Sequence, residues 1–310
     1  MRRAPTPPLA SDVPSIVDSD APPGPSPLRK VGVRVASALT AFLTALFVLW
    51  AGMPLLAPVF LALSGVAIFE YAAMMRLRGV RVPRTGLVVM TVLTLPAAVP
   101  AGHPLAWPYG GMPAREVLLM GFLLALLAGA IRSPRRDALP GIAYGLLGYL
   151  WIPYAFSYVL TLRLSPDPYV GMATLLFPVL AIVASDVGGW AVGSTLGRRP
   201  LAPVLSPDKT IEGALGGVAL AALVVPLAAW GLATAGLGPT LHPLAALAFA
   251  MLVAAVAMLG DLFESLIKRW AGVKDAGVFL PGHGGVLDRL DSHLFGLPAA
   301  FLLYQLIGWV

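Results

Sequence analysis

The sequence predicts an all-α fold, a polytopic transmembrane bundle of about nine helices with a cytoplasmic N-terminus. Three observations lead there. The 310 residues are 58% hydrophobic and 12% charged, too apolar for a soluble domain to cover itself with polar side chains. The apolar residues fall into runs near the ~20 residues that cross a bilayer core. Lys and Arg gather in the short segments between alternate runs, the pattern left when positive charge is retained on the cytoplasmic side.

The elements follow in chain order. Residues 1–30 carry Pro5, Pro7, Pro8, Pro14, Pro22, Pro23, Pro25 and Pro27 among small polar residues and show no apolar period, so a disordered cytoplasmic tail is expected. Arg2 and Arg3 stand too far from the first apolar run for a cleavable signal peptide, and that run is expected to remain as an anchor. Spans are expected at 34–52, 54–75, 86–102, 117–131, 139–162, 169–196, 214–236, 242–263 and 293–310. The third and fourth are short enough to be tilted or partly interfacial. Two regions result: N-terminal transmembrane helices over 31–165, and a C-terminal transmembrane catalytic region over 166–310.

Nine spans with the N-terminus inside place nineteen of the 21 basic residues on the cytoplasmic side, with Arg115 and Arg163 outside. The +6 net charge therefore reflects topology and anionic headgroups, and nucleic acid is excluded as a partner. With no cysteine there is neither a disulfide framework nor a thiolate ligand or nucleophile. No phosphate-cradling Walker motif or His-Glu-x-x-His helix is present.

Against this oily background, polar residues concentrate in three places. A charge in hydrocarbon costs about 2.5–3.5 kcal/mol on insertion scales, so clusters mark use. The eighth span ends with Asp261, Glu264, Ser265 and Lys268 on one helical stripe if the helix continues, an arrangement suited to a cation near a phosphate or to a solvated helix end. Lys274-Asp275, His283-Gly284-Gly285 and Asp288-Arg289-Leu290-Asp291 then follow. Glycines let backbone N–H groups approach phosphate oxygens, and basic residues such as Arg269 and Arg289 supply countercharge. Asp288 and Asp291 share a face if Leu287 starts the last helix, and their hard oxygens suit Mg²⁺. The third place holds Ser185-Asp186-Val187-Gly188-Gly189-Trp190 and Ser206-Pro207-Asp208-Lys209-Thr210-Ile211-Glu212-Gly213. There Gly189, Gly193 and Gly197 suggest close helix packing, and Ser206 or Asp208 is expected to cap a helix start, where Lys209 and Thr210 suit a phosphate. Glu70, Asp186 and Asp261 lie 16, 16 and 18 residues past the outer ends of their runs. That is about 24–27 Å below the outer face, near the cytoplasmic interface. Pro178 and Pro226 either bend their spans to admit lipid or are simply tolerated.

Ser265-Leu-Ile-Lys-Arg, Lys274-Asp275 and Pro-Gly-His-Gly-Gly-Val-Leu-Asp-Arg-Leu-Asp291 resemble the signature of the phosphatidate cytidylyltransferase family, also called CDP-diacylglycerol synthases. The Ser-Asp-x-Gly-x-Trp element at 185–190, the Ser-Pro-x-Lys-Thr-x-Glu-Gly element at 206–213 and Gly260-Asp261-Leu-x-Glu264-Ser265 are similar to that family too. Asp208 departs from the basic or amide residue common at its position. The resemblance implies a membrane enzyme that joins CTP and phosphatidate into CDP-diacylglycerol and pyrophosphate at the bacterial cytoplasmic (inner) membrane. It implies catalytic roles for Asp261, Lys274, Asp288 and Asp291, with metal held by Asp186, Asp261, Asp288 and Asp291. Ser206, Lys209, Thr210, Ser265, Lys268, Arg269, Lys274, His283, Gly284, Gly285 and Arg289 are expected to bind substrate. One or two Mg²⁺ are expected, with K⁺ as an option for a mixed pair. CTP, phosphatidate and membrane lipids are the expected partners, and a homodimer is a further candidate. The rival readings are a CTP-dependent lipid kinase, a cytidylyltransferase for another lipid phosphate and, from another class, an ion-coupled transporter. Against the transporter stand the absence of an obvious inverted repeat and the concentration of polar residues on one face.

Overall fold

The computed structural model describes residues 43–44, 46–99, 114–134, 137–165, 167–277 and 284–308. The expected tail, the greater part of the first expected span and His283 lie outside them. Contacts divide the chain into units 1–46 and 47–310, and every element below belongs to the second.

Helix α1 spans Met53–Leu77, α2 Arg84–Ala97, α3 Ala114–Arg132 and α4 Ala138–Tyr149. The last continues through a π turn at Leu150–Tyr154 into the short α5, Tyr158–Arg163. Pro153 lies in that turn, where its missing N–H interrupts the regular ladder. Helix α6 covers Pro168–Leu196 and starts on Asp167, whose Oδ1 accepts from the N–H groups of Tyr169 and Val170. A small antiparallel hairpin comes next, β1 Pro200–Ala202 and β2 Ser206–Thr210, with Pro200 opposite Thr210 and Ala202 opposite Ser206. Helices α7 (Ile211–Thr234), α8 (Pro243–Ala271) and α9 (Leu287–Leu306) complete the bundle.

Among the described residues, six helical stretches are long and apolar enough to cross a membrane: α1, α3, the α4–α5 run, α6, α7 and α8. The chain is thus a polytopic helical membrane protein. Helix α2 has 14 residues, about 21 Å, short of the ~30 Å hydrocarbon core. Helix α9 opens with Asp288, Arg289 and Asp291, which shortens its apolar part.

The helix expected to begin near Ser206 is instead the second hairpin strand. Pro200, Pro203 and Pro207 explain this, because each disfavours helical φ/ψ in the residue before it. The cap is Thr210, whose Oγ1 accepts from Gly213 N at 3.1 Å. Helices α6 and α7 form the most extensive helix pair, and Gly189 and Gly193 do face it, with an added Cβ 3.7 Å from Gly213 O and 3.6 Å from Gly213 Cα, but the closest approach falls on the neighbouring Gly188. A Cβ on Gly188 would stand 2.6 Å from Gly216 O, and one on Gly217 2.5 Å from Ser185 O. Only hydrogen fits at these crossings. Pro178 and Pro226 sit within unbroken helices.

Arg115 and Arg163, the two basic residues outside the inward bias, are both held by protein. Arg163 Nε donates to Leu49 O at 2.9 Å. Arg115 donates to Thr161 Oγ1 and lies 4.3 Å from the centre of the Tyr158 ring.

Candidate active site

Four helices and the hairpin converge on a cavity of about 490 Å³. Helix α6 supplies Ser185, Asp186 and Trp190, and the hairpin supplies Ser206, Asp208, Lys209 and Thr210. From α8 comes Asp261, and from α9 come Asp288, Arg289, Asp291 and Ser292.

At its acidic end, one carboxylate oxygen from each of Asp261, Glu264 and Asp291 lies within 4.8 Å of the other two. Local sequence explains the meeting. Helix α8 continues unbroken to Ala271, past the expected end at 263, so Asp261 and Glu264 fall three apart on one face. Gly260 then admits α9, because a Cβ there would stand 2.7 Å from Asp291 O and 3.0 Å from the Phe295 side chain. Helix α9 begins at Leu287, as the shared face of Asp288 and Asp291 requires.

The two aspartates nevertheless differ in environment. Asp291 is buried in the cluster, and its Oδ1 accepts from Ser292 N at 2.6 Å. Asp288 turns to the loop: Oδ1 accepts from Lys268 Nζ at 2.7 Å, Oδ2 accepts from Gly285 N at 2.7 Å, and Ala276 N reaches both oxygens. Burial alone would raise the Asp288 carboxyl, but Lys268 and these amides prevail and hold it below the usual carboxylate range. Gly284 turns the chain there with a left-handed φ of 79°.

Cationic side chains grip the cluster from two directions. Lys209, from β2, pairs with Asp261. Lys268 bridges Glu264 Oε2 at 2.6 Å and Asp288 Oδ1 at 2.7 Å. Asp186, Asp261, Glu264, Asp288 and Asp291 thus face Lys209, Lys268 and Arg289, an excess of acid over base. Buried Glu264 Oε1 has no hydrogen-bond partner. An unpartnered hard oxygen beside two further carboxylates fits a divalent cation of the Mg²⁺ type.

The other expected residues are placed as follows. Ser206, Lys209 and Thr210 line the cavity from the hairpin. Ser265 is buried on α8, and exposed Arg269 donates to Leu205 O at 3.2 Å, tying the hairpin turn to α8. Lys274 is exposed on the segment after α8 and is not among the cavity's lining residues. Glu70 does not join the acidic cluster, although the depth argument grouped it with Asp186 and Asp261. Its oxygens accept from Val286 and Leu287 N–H.

Two residues were missed. Glu264 was legible as part of the polar stripe but not as a member of the metal set. Glu212 Oε2 accepts from the N–H groups of Arg198 and Arg199 at 3.0 and 3.1 Å and fixes the turn from α6 into the hairpin.

Comparison with known proteins gives the chain a family. A model of the cytidylyltransferase family matches residues 32–307. A phosphatidate cytidylyltransferase of Helicobacter pylori (strain ATCC 700392 / 26695) is 47% identical over 140 residues, 45% of this chain and 50% of that protein. One from Bacillus subtilis (strain 168) is 30% identical over 276 residues, 89% of this chain and 98% of that protein. A third, from Synechocystis, is 32% identical over 263 residues, 77% of this chain and 84% of that protein. The chain spans about half the length of the Helicobacter relative and nearly all of the Bacillus one.

Proposed function

The chain belongs to the cytidylyltransferase family, and from that premise we propose that it converts CTP and phosphatidate into CDP-diacylglycerol and pyrophosphate. The names of its relatives support this substrate pair. The observation that carries the reading is the convergence of Asp261, Glu264 and Asp291, two of which line a cavity shared with Lys209 and Arg289 while Glu264 is buried behind them.

A phosphatidate oxygen attacks the α-phosphorus of CTP, and the bond to the β-phosphate oxygen breaks. The attacking oxygen is already anionic at neutral pH, so no general base is needed, and the barrier is the mutual repulsion of two polyanions. Asp261, Glu264 and Asp291 would hold Mg²⁺, with Asp186 on the same cavity wall. When bound, the ion supplies positive charge to the phosphates and orients them. A second ion, Mg²⁺ or K⁺, belongs to the same reading.

Lys209 from the hairpin and Arg289 from α9 neutralise the phosphate chain and the lipid phosphate. Ser206 and Thr210 add hydroxyl donors. Lys274 and Arg269 meet phosphate from the exposed side, and Ser265, His283 and the Gly284–Gly285 backbone complete the proposed set of substrate contacts. Asp288, its oxygens taken by Lys268, Ala276 and Gly285, holds the signature segment in shape, and Lys268 links that segment to the carboxylate cluster.

The inward bias of Lys and Arg supports nine spans, a cytoplasmic N-terminus and an active site facing the cytosol. The cavity's lining residues run from Ser185 to Ser292, which supports a catalytic region at 166–310, with N-terminal transmembrane helices at 31–165 as a separate region. Bacterial relatives support the cytoplasmic membrane as the location. A homodimer is part of the proposal.

The decisive experiment incubates purified protein with α-labelled CTP, phosphatidate and Mg²⁺. The expected products are labelled CDP-diacylglycerol and unlabelled pyrophosphate. Phospho-lipid with labelled CDP would replace this reading with a lipid kinase, and no Mg²⁺-dependent product would overturn it.

A further inference from the structure

The backbone at the start of α9 has an unusual supplier of hydrogen-bond acceptors. The first N–H groups of a helix lack intrahelical partners and attract negative charge. Here the N-cap position is Val286, which offers no side-chain cap. The acceptors come from 216 residues away: Glu70 of α1 takes Val286 N at 3.0 Å and Leu287 N at 2.8 Å. The preceding amide, Gly285 N, goes to Asp288. Three consecutive amides are thus held by two carboxylates, one from the signature itself and one from the N-terminal half.

The surrounding chain is built to this carboxylate. Glu70 is 8% exposed. A Cβ on Gly277 would stand 2.4 Å from Glu70 Oε1, and one on Gly285 would stand 2.7 Å from both carboxylate oxygens. Gly277, ahead of the Pro281–Asp291 signature, and Gly285, within it, therefore bring their backbones onto one side chain. Two turns further along, Arg78 donates to Trp270 O at the end of α8 and lies 5.7 Å from the centre of the Trp270 ring. The inner end of α1 thereby grips both the exit of α8 and the entry of α9, the two helices that carry Asp261, Glu264 and Asp291.

We propose that Glu70 is a positioning residue for nucleotidyl transfer: it fixes the first turn of α9 and so the aim of Asp288 and Asp291. The inference rests on the function proposed above. Its chemistry requires two acceptors. In Glu70→Gln one oxygen remains, and the new NH₂ confronts a backbone N–H.

The test uses the full chain in detergent with CTP, phosphatidate and Mg²⁺. Glu70→Gln is expected to lower kcat roughly 10- to 100-fold, the range for residues that orient metal ligands, and to raise the Mg²⁺ concentration for half-maximal rate. The KM for phosphatidate should change less than kcat. Gly285→Ala, which keeps every ionisable group but presses on Glu70, should reproduce the pattern if Glu70→Gln folds poorly. Arg76→Gln, exposed in the last turn of α1, should behave as wild type. A purely architectural Glu70 would lower the melting temperature and leave kcat and Mg²⁺ dependence per folded enzyme unchanged, and that result overturns the inference. An inactive wild-type chain would overturn the proposed function and this inference with it, whereas an active wild type with an equally active Glu70→Gln would overturn the inference alone.

Discussion

Asp288 and Asp291 stand three residues apart in one signature, yet they face different partners. The sequence showed that both would fall on one face of α9, and that is where they are. It did not show that Lys268, Ala276 and Gly285 would occupy Asp288 while Asp291 met α8, because those partners depend on how the segment closes. Glu264 illustrates the same limit. Its three-residue spacing from Asp261 was visible, but its proximity to Asp291 requires the close helix approach at Gly260. A consequence at this scale is that Glu264→Gln and Asp291→Asn should each reduce kcat more than about 100-fold, beyond the range of residues that only orient ligands. Mg²⁺ titration of the purified variants checks this, and wild-type turnover by both at saturating Mg²⁺ would remove the cluster as the ion site.

Among the elements, apolar run length located α1, α3, the α4–α5 run, α6 and α7 within three residues at each end, because hydrocarbon crossing constrains length directly, whereas α8 runs to Ala271 and α9 starts at Leu287, both carrying polar residues beyond the apolar run. The hairpin escaped. A capping pattern at Ser206 competed there with three prolines, and the prolines prevailed because each acts on the backbone sterics of its immediate neighbour, whatever the sequence beyond it. The glycine spacing on α6 was legible as packing, but its partner was not, since the matching glycines lie on α7. Their contact makes opposite predictions for two residues of α7. Gly217→Ala places a methyl 2.5 Å from Ser185 O and should destabilise the protein by about 1–3 kcal/mol. Gly231, where an added methyl would meet nothing within 4 Å, should gain up to ~1 kcal/mol on replacement by Ala through helix propensity. Thermal unfolding in one detergent reads both, and equal melting temperatures would dissociate the glycines from helix packing.

For the molecule as a whole, a water-soluble nucleotide must meet a lipid whose acyl chains stay in the leaflet. The reacting phosphorus atoms can meet only near headgroup depth, and the carboxylates lie toward the expected inner ends of α6 and α8 and at the start of α9. That arrangement also gives the inward bias of Lys and Arg a chemical use, since the same face that sets topology gathers phosphates. The proposed orientation therefore requires CTP to act from one side. Sealed inside-out vesicles should incorporate added CTP into CDP-diacylglycerol, whereas sealed right-side-out vesicles should do so only after permeabilisation. Equal use of external CTP by intact right-side-out vesicles would reverse the orientation and, with it, the assignment of the basic segments to the cytoplasm.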